Sequence, residues 1–180
     1  FAQLLPDMRL HIIRELCEEE MGLERFLNLV TVKSRDWCPN TKRFIDIIDP
    51  AGFRRSETDE RSCMTIMRMA PWHLAPLPGR QGLQERHSAV IGFLTRNVRE
   101  SPCFLVSPVC KEIIGGFDGG YHYSYARSGS LRETPEKNKF SHPHDALQYI
   151  CTRIYDIDVN RNDGDIKIAQ PSYHMNIQKA

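Results

Sequence analysis

Short apolar runs alternate with amphipathic stretches along most of this chain, and that alternation is its clearest structural signal. Met8 to Leu16, M-R-L-H-I-I-R-E-L, is rich in branched apolar residues and predicts a strand, paired across the turn at Pro6-Asp7 with the residues before it. Glu18 to Val30 carries Met21, Leu23, Phe26, Leu27 and Val30 at near-helical spacing, which predicts an amphipathic helix that Gly22 weakens. Arg43 to Asp49, R-F-I-D-I-I-D, predicts a buried strand stopped by Pro50 and Gly52. A helix over Ser62 to Met69 follows a polar loop, and the proline- and glycine-rich Pro71 to Gly82 predicts another loop.

Val90, Phe93, Leu94 and Val98 share one face of a helix predicted over Glu85 to Arg99. Cys103 to Val106 predicts a short strand entered through Pro102. A short helix then starts at Pro108 and ends at Gly115 and Gly116. Phe117 to Tyr125 alternates glycine and tyrosine and reads as a strand or hairpin, with Tyr121, Tyr123 and Tyr125 on one face. Arg127 to Lys139 is a polar, basic loop. The last helix is predicted from about His142 to Tyr155, and residues 159–180 form a polar tail after a domain spanning 1–158. Strands alternating with helices predict an α/β architecture with a partly parallel sheet.

Composition narrows this picture only a little. The 180 residues are 41% hydrophobic and 26% charged, as in an ordinary globular domain, and the formal charge is +1. No global basic excess points to nucleic acid, so any such contact must come from a local patch. No apolar run is long enough to span a membrane, and the N-terminal residues lack the apolar segment of a signal peptide. The six cysteines are scattered without a C-x-x-C, so they read as reduced thiols that pack as small hydrophobes in an intracellular protein.

The candidate chemistry lies in Lys137 to Ile150, K-N-K-F-S-H-P-H-D-A-L-Q-Y-I. Ser141 reads as an N-cap and Pro143 suits the first turn. Leu147, Ile150, Cys151 and Ile154 form a core stripe, and His142, Asp145 and Tyr149 fall together on the other side. A His–Asp pair at a helix start is by itself no more than a capped helix. It becomes a metal site if a second carboxylate joins it. Asp49, at the carboxyl end of a predicted strand, is that candidate; otherwise it is an Asp-Pro turn initiator. Such carboxylates bind hard cations, and a pair of ions suits phosphodiester hydrolysis. A zinc site from His142, His144 and Cys151 is disfavoured, because two residues apart on a helix point in different directions.

Three blocks in order, F-I-D-I-I-D-P-A-G-F-R-R-S-E-T-D-E-R-S, C-F-L-V-S-P-V-C-K-E-I-I-G-G-F-D-G-G-Y and K-N-K-F-S-H-P-H-D-A-L-Q-Y-I, resemble the C-terminal nuclease domain of the large terminase subunit of tailed phages and prophages. The resemblance covers roughly Phe1 to Tyr155. It implies a ribonuclease-H-like mixed sheet flanked by helices and a Mg²⁺- or Mn²⁺-dependent endonuclease, with two ions, that cuts concatemeric double-stranded DNA during packaging. It implies Asp49, Asp145 and His142 as catalytic metal ligands. Arg54, Arg55, Arg127, Arg132, Lys137 and Lys139 would neutralise phosphates around them. The implied partners are the portal, the small terminase subunit and an N-terminal ATPase domain, whose phosphate-binding motif is absent from this sequence; the implied location is the cytoplasm of a bacterial host.

In the family the first carboxylate stands on an opening strand, in a D-x-G-L-T-P-like segment. This sequence starts with what looks like the residues just after it. The expectation is therefore a sheet lacking its first strand and a chain that cuts poorly or not at all, with Asp46, Glu57, Asp59 or Asp118 as substitute ligands. The alternative is a non-catalytic remnant that binds DNA or a packaging partner.

Overall fold

A computed structural model describes residues 1–42, 44–53, 62–69, 77–78 and 82–162. It is a mixed α/β arrangement. Strand β1 (Ala2–Leu4) turns back antiparallel on β2 (Leu10–Ile12), as the Pro6-Asp7 turn predicts. The turn is held by Leu5 and Arg9, whose backbone bond is 2.8 Å, and by the Asp7 carboxylate, which accepts from the Arg9 side chain at 2.9 Å. β2 pairs in parallel with β7 (Phe104–Val106), giving one three-stranded sheet of order β1-β2-β7.

Between these strands run α1 (Leu23–Trp37), β3 (Ile47–Ile48), a 3₁₀ turn at Pro50–Phe53, α2 (Cys63–Met69), β4 (Leu77–Pro78), α3 (Leu83–Thr95), β5 (Asn97–Val98) and β6 (Ser101–Pro102). After β7 come α4 (Lys111–Gly115), a π-helical turn at Gly116–Gly120 and α5 (Ser141–Asn162). The Ser62 hydroxyl accepts the Thr65 amide at 3.2 Å and caps α2. The Glu15 carboxylate accepts the amides of Glu112 and Ile113 at 2.8 and 3.0 Å, so a residue just past β2 caps α4.

The core lies between the sheet and the α3–α5 pair. Leu10, Ile12, Phe93, Cys103, Cys110, Ile113, Leu147 and Cys151 meet there, and Leu10, Cys103, Cys110 and Cys151 are fully enclosed. Three cysteines thus pack as small hydrophobes, and all six are free thiols.

Several predicted elements shift. α1 starts after Glu18–Gly22 and continues to Trp37, because Thr31 and Ser34 bond back to the carbonyls of Leu27 and Val30 and Trp37 meets Phe1 edge-on at 5.1 Å. The predicted buried strand over residues 43–49 shrinks to Ile47–Ile48, paired in parallel with β4 as a separate two-stranded unit; Phe44 and Ile45 are exposed. That pairing places β4 inside a stretch read as loop. The helix predicted to reach Arg99 stops at Thr95, and Asn97 to Pro102 form a hairpin. α4 ends at Gly115 with Gly116 as its cap, as predicted, and the chain winds on directly into the π turn. Phe117 to Tyr125 is no strand, and among the described residues its β-pairing is an isolated bridge between Tyr125 and Leu131. α5 runs on to Asn162, past residue 158, and the remaining tail residues lie outside the described ones.

The β5–β6 turn puts Arg99 and Glu100 at φ 49° and 65°. Two left-handed residues suit the twist of a hairpin, and glycine fills the second place at the least cost. Glu100→Gly should therefore raise stability by about 0.5–1 kcal/mol, read as a higher urea midpoint at unchanged m-value. A lower midpoint would contradict it.

Candidate functional site

α5 begins differently from its sequence pattern. The Ser141 hydroxyl does not cap the helix but donates to the Asn138 carbonyl at 2.7 Å, and Ser141 is buried. Asn138 organises the entry instead: its side chain accepts the Phe140 amide at 2.9 Å and donates to the Gly120 carbonyl at 2.9 Å. This ties the start of α5 to the end of the π turn. Phe140 lies across Gly115 and Gly120, where a Cβ would stand 2.8 and 2.5 Å from its ring. A Cβ on Gly116 would overlap the His144 imidazole. The G-G-F-D-G-G segment is glycine-rich because α5 rests on its backbone.

The buried face of α5 is wider than an apolar stripe. It includes His144, Gln148, Tyr149 and Thr152. The His144 ring stacks on Tyr121 at 4.8 Å and meets the Phe117 edge at 4.8 Å. Its Nε2 lies 3.1 Å from the Ile113 carbonyl, which can only accept, so that nitrogen carries the proton. Gln148 donates to the Tyr121 hydroxyl at 2.9 Å, and that hydroxyl is 3.1 Å from His87 Nε2. Tyr123 reaches His87 Nδ1 at 3.4 Å. Tyr121 and Tyr123 thus converge on one histidine of α3, while Tyr125 is exposed.

Burial pushes His144 below its ordinary pKa of 6.5, although the Ile113 carbonyl and Asp145 work the other way. Burial and then Arg86 push His87 in the same direction. A depressed histidine resists a proton that the unfolded chain accepts. Stability from these two groups is complete above about pH 6.5 and is lost as pH falls below it, by at most about 1.4 kcal/mol per pH unit for each. The melting temperature should decline between about pH 7 and 5.5; a flat profile would count against buried neutral imidazoles.

Asp145 stands at the rim of this cluster. Its Oδ1 accepts from Arg86 Nη1 at 3.0 Å and its Oδ2 from Lys137 Nζ at 3.1 Å. The Arg86 guanidinium also covers the Tyr149 ring at 4.9 Å. Tyr149 is buried, not solvent-facing, and the charges of Asp49 and Asp145 both act on its phenol. Burial first, and then Asp49 and Asp145, hold its phenol above the ordinary value against Arg86. β3 packs on α5, so the two candidate carboxylates, far apart in sequence, flank one tyrosine. Asp49 also accepts the Ala51 amide at 2.8 Å, the Asp-Pro turn that its sequence suggested.

The other candidates divide. His142 is exposed and forms no hydrogen bond among the described residues. Lys139 is held by Glu112 at 3.2 Å and lies over Phe140, turned from Asp145. Arg127 and Arg132 are exposed on the loop over residues 121–137, where Gly129 turns at φ 81°. Arg54 and Arg55, with Glu57 and Asp59, lie outside the described residues. Among the described residues no three of His, Cys, Asp and Glu converge as a metal cage, and no helix is long and apolar enough to cross a membrane. Arg86, His87 and Gln148 were missed by sequence reasoning, and Tyr121 was read only as one face of a strand. Arg86 and His87 begin an α3 whose pattern shows only its apolar face. No family model, no curated protein and no solved structure matches the chain.

Proposed function

We propose that this chain is a terminase-type nuclease domain of ribonuclease-H-like descent, acting on double-stranded DNA with Mg²⁺ or Mn²⁺. The observation that carries the reading is the packing of β3 on α5, which brings Asp49, just past β3, and Asp145 of α5 to the surroundings of Tyr149. The motif blocks support it independently. Mg²⁺ keeps several waters and needs few protein carboxylates, so Asp49 and Asp145 are the residues that would hold one ion. The described residues supply no third carboxylate for a second ion. The ion, when bound, polarises a phosphodiester and lowers the pKa of a bound water. The protein's part is to hold the carboxylates: the Ala51 amide donates to Asp49, and Arg86 fixes the rotamer of Asp145. Exposed Arg127 and Arg132 would meet backbone phosphates.

One observation favours the second reading, a non-catalytic binder of DNA or of a packaging partner such as the portal. Both oxygens of Asp145 are already matched by cations. Plasmid nicking with Mn²⁺ separates the two. The nuclease reading expects cutting, weak where the first-strand carboxylate is lacking, that falls about 10²-fold or more in Asp49→Ala and Asp145→Asn. A folded wild-type chain that binds plasmid in a salt-sensitive way without cutting it supports the binder.

A further inference from the structure

The segment between the π turn and α5 folds back on itself as a small hairpin. The Gly129 amide closes its tip on the Ala126 carbonyl at 2.9 Å, and backbone bonds join its arms: Ala126 to Ser130 at 2.8 Å, Arg132 to Ser124 at 3.0 Å and Glu136 to His122 at 2.9 Å. The two arms also line an open cavity of about 520 Å³, through Ser124, Tyr125, Arg132, Thr134 and Glu136. At the neck of the hairpin the side chains of His122 and Glu136 face each other, each about half exposed. His122 Nδ1 lies 3.0 and 3.2 Å from the carbonyls of Gly119 and Gly120 in the π turn, and its Nε2 lies 3.4 Å from the Glu136 carboxylate.

The polar atoms that meet this ring are all acceptors. A neutral imidazole has one N–H, which the two carbonyls claim at Nδ1, and a bare Nε2 lone pair would then face a carboxylate. Only the imidazolium presents a donor on both sides. Among the described residues no other charged group bonds the ring: the neighbouring Tyr121 and Tyr123 turn their hydroxyls to His87, and the Asn138 amide reaches the same Gly120 carbonyl. We propose that His122 and Glu136 form a pH-operated clasp at the hairpin neck. With the ring charged, the clasp fastens the returning arm to the π turn and fixes the spacing of the cavity walls. It is closed at low pH and released as pH rises through the histidine's titration. His87 and His144 act in the opposite sense, because burial favours their neutral forms.

The test is amide hydrogen exchange by NMR on the full chain between about pH 5.5 and 7.5. Rates are expressed as protection factors, which removes the base catalysis of exchange itself. The reporters are the Arg132 and Glu136 amides, which bond across the hairpin to Ser124 and His122. Wild type is compared with His122→Gln and Glu136→Gln; both side chains are half exposed, so neither change disturbs the core. Wild-type protection at these two amides should fall about two- to fivefold as pH rises, the worth of an exposed ion pair. Both variants should stay flat, at or below the wild-type level of the high-pH end. Core amides such as that of Leu147 should hold or gain protection over the same range, because His87 and His144 stabilise the whole fold as they lose protons. A fall in Glu136→Gln equal to that of wild type would assign the response to another group and overturn the clasp. So would a flat wild-type profile, or hairpin protection that rises with the core.

Discussion

Gly116→Ala should destabilise the protein by about 3–5 kcal/mol, a large effect for one added methyl group. The Cβ has no space: it would overlap the His144 ring. That ring cannot step aside, because Tyr121 stacks on it, Phe117 meets its edge, and only 3% of the residue is exposed. Forcing extra volume into a packed site costs about 1–3 kcal/mol. Displacing the ring also breaks its bond to the Ile113 carbonyl and leaves a buried acceptor unanswered, at about 1–3 kcal/mol more. Urea denaturation measures the sum. Gly119→Ala is the matched control for a different penalty. No atom lies within 4 Å of its Cβ, and its φ of 105° makes the cost conformational. A Gly116→Ala protein as stable as wild type would show that α5 does not rest on this turn.

Asp145→Ala should cost about 2–4 kcal/mol, whatever its effect on catalysis. Arg86 and Asp145 are 11% and 19% exposed, so the pair is largely but not wholly withdrawn from water. Removing the carboxylate leaves a guanidinium enclosed against Tyr149 with only the ring face for company. Stranding one member of a buried pair typically costs about 3–5 kcal/mol, which the residual exposure here reduces. Arg86→Met should cost less, because Lys137 still answers Asp145. The double variant Arg86→Met/Asp145→Ala should recover part of the loss, giving a coupling energy of about 1–3 kcal/mol in a double-mutant cycle. Strict additivity would mean the two side chains do not act on each other.

Much of the fold is legible wherever apolar periodicity and turn chemistry agree. The β1–β2 hairpin, α2 with Ser62 at its start, α3, β7 and α5 all follow from such local agreement. Tertiary contact decides the rest. R-F-I-D-I-I-D has the look of a buried strand, but only Ile47 and Ile48 find a partner, and Ile45 is 62% exposed. The two glycines that end α4 are also places where Phe140 and His144 come too close for a side chain. At the candidate site, Asp49 and Asp145 could be picked out because Asp-Pro turns and His-rich helix starts are local patterns. The pairing of Asp145 with Arg86, and the stacking of His144 in place of an outward His142, depend on α3 and the Tyr121 segment arriving from elsewhere in the chain. No spacing rule carries that.

The parallel pairing of β2 with β7 also sets an order of events during synthesis. Leu10 finds Phe104, and Glu15 finds the start of α4, only after the intervening helices have left the ribosome. Until then the edge of β2 that pairs with β7 is bare, and an unpaired strand edge invites other strands. Closing so long a loop makes sheet completion a late and slow step. A nascent chain stalled before Phe104 would hold a sticky edge for a chaperone to cover; one that has passed Ile113 would have the means to hide it.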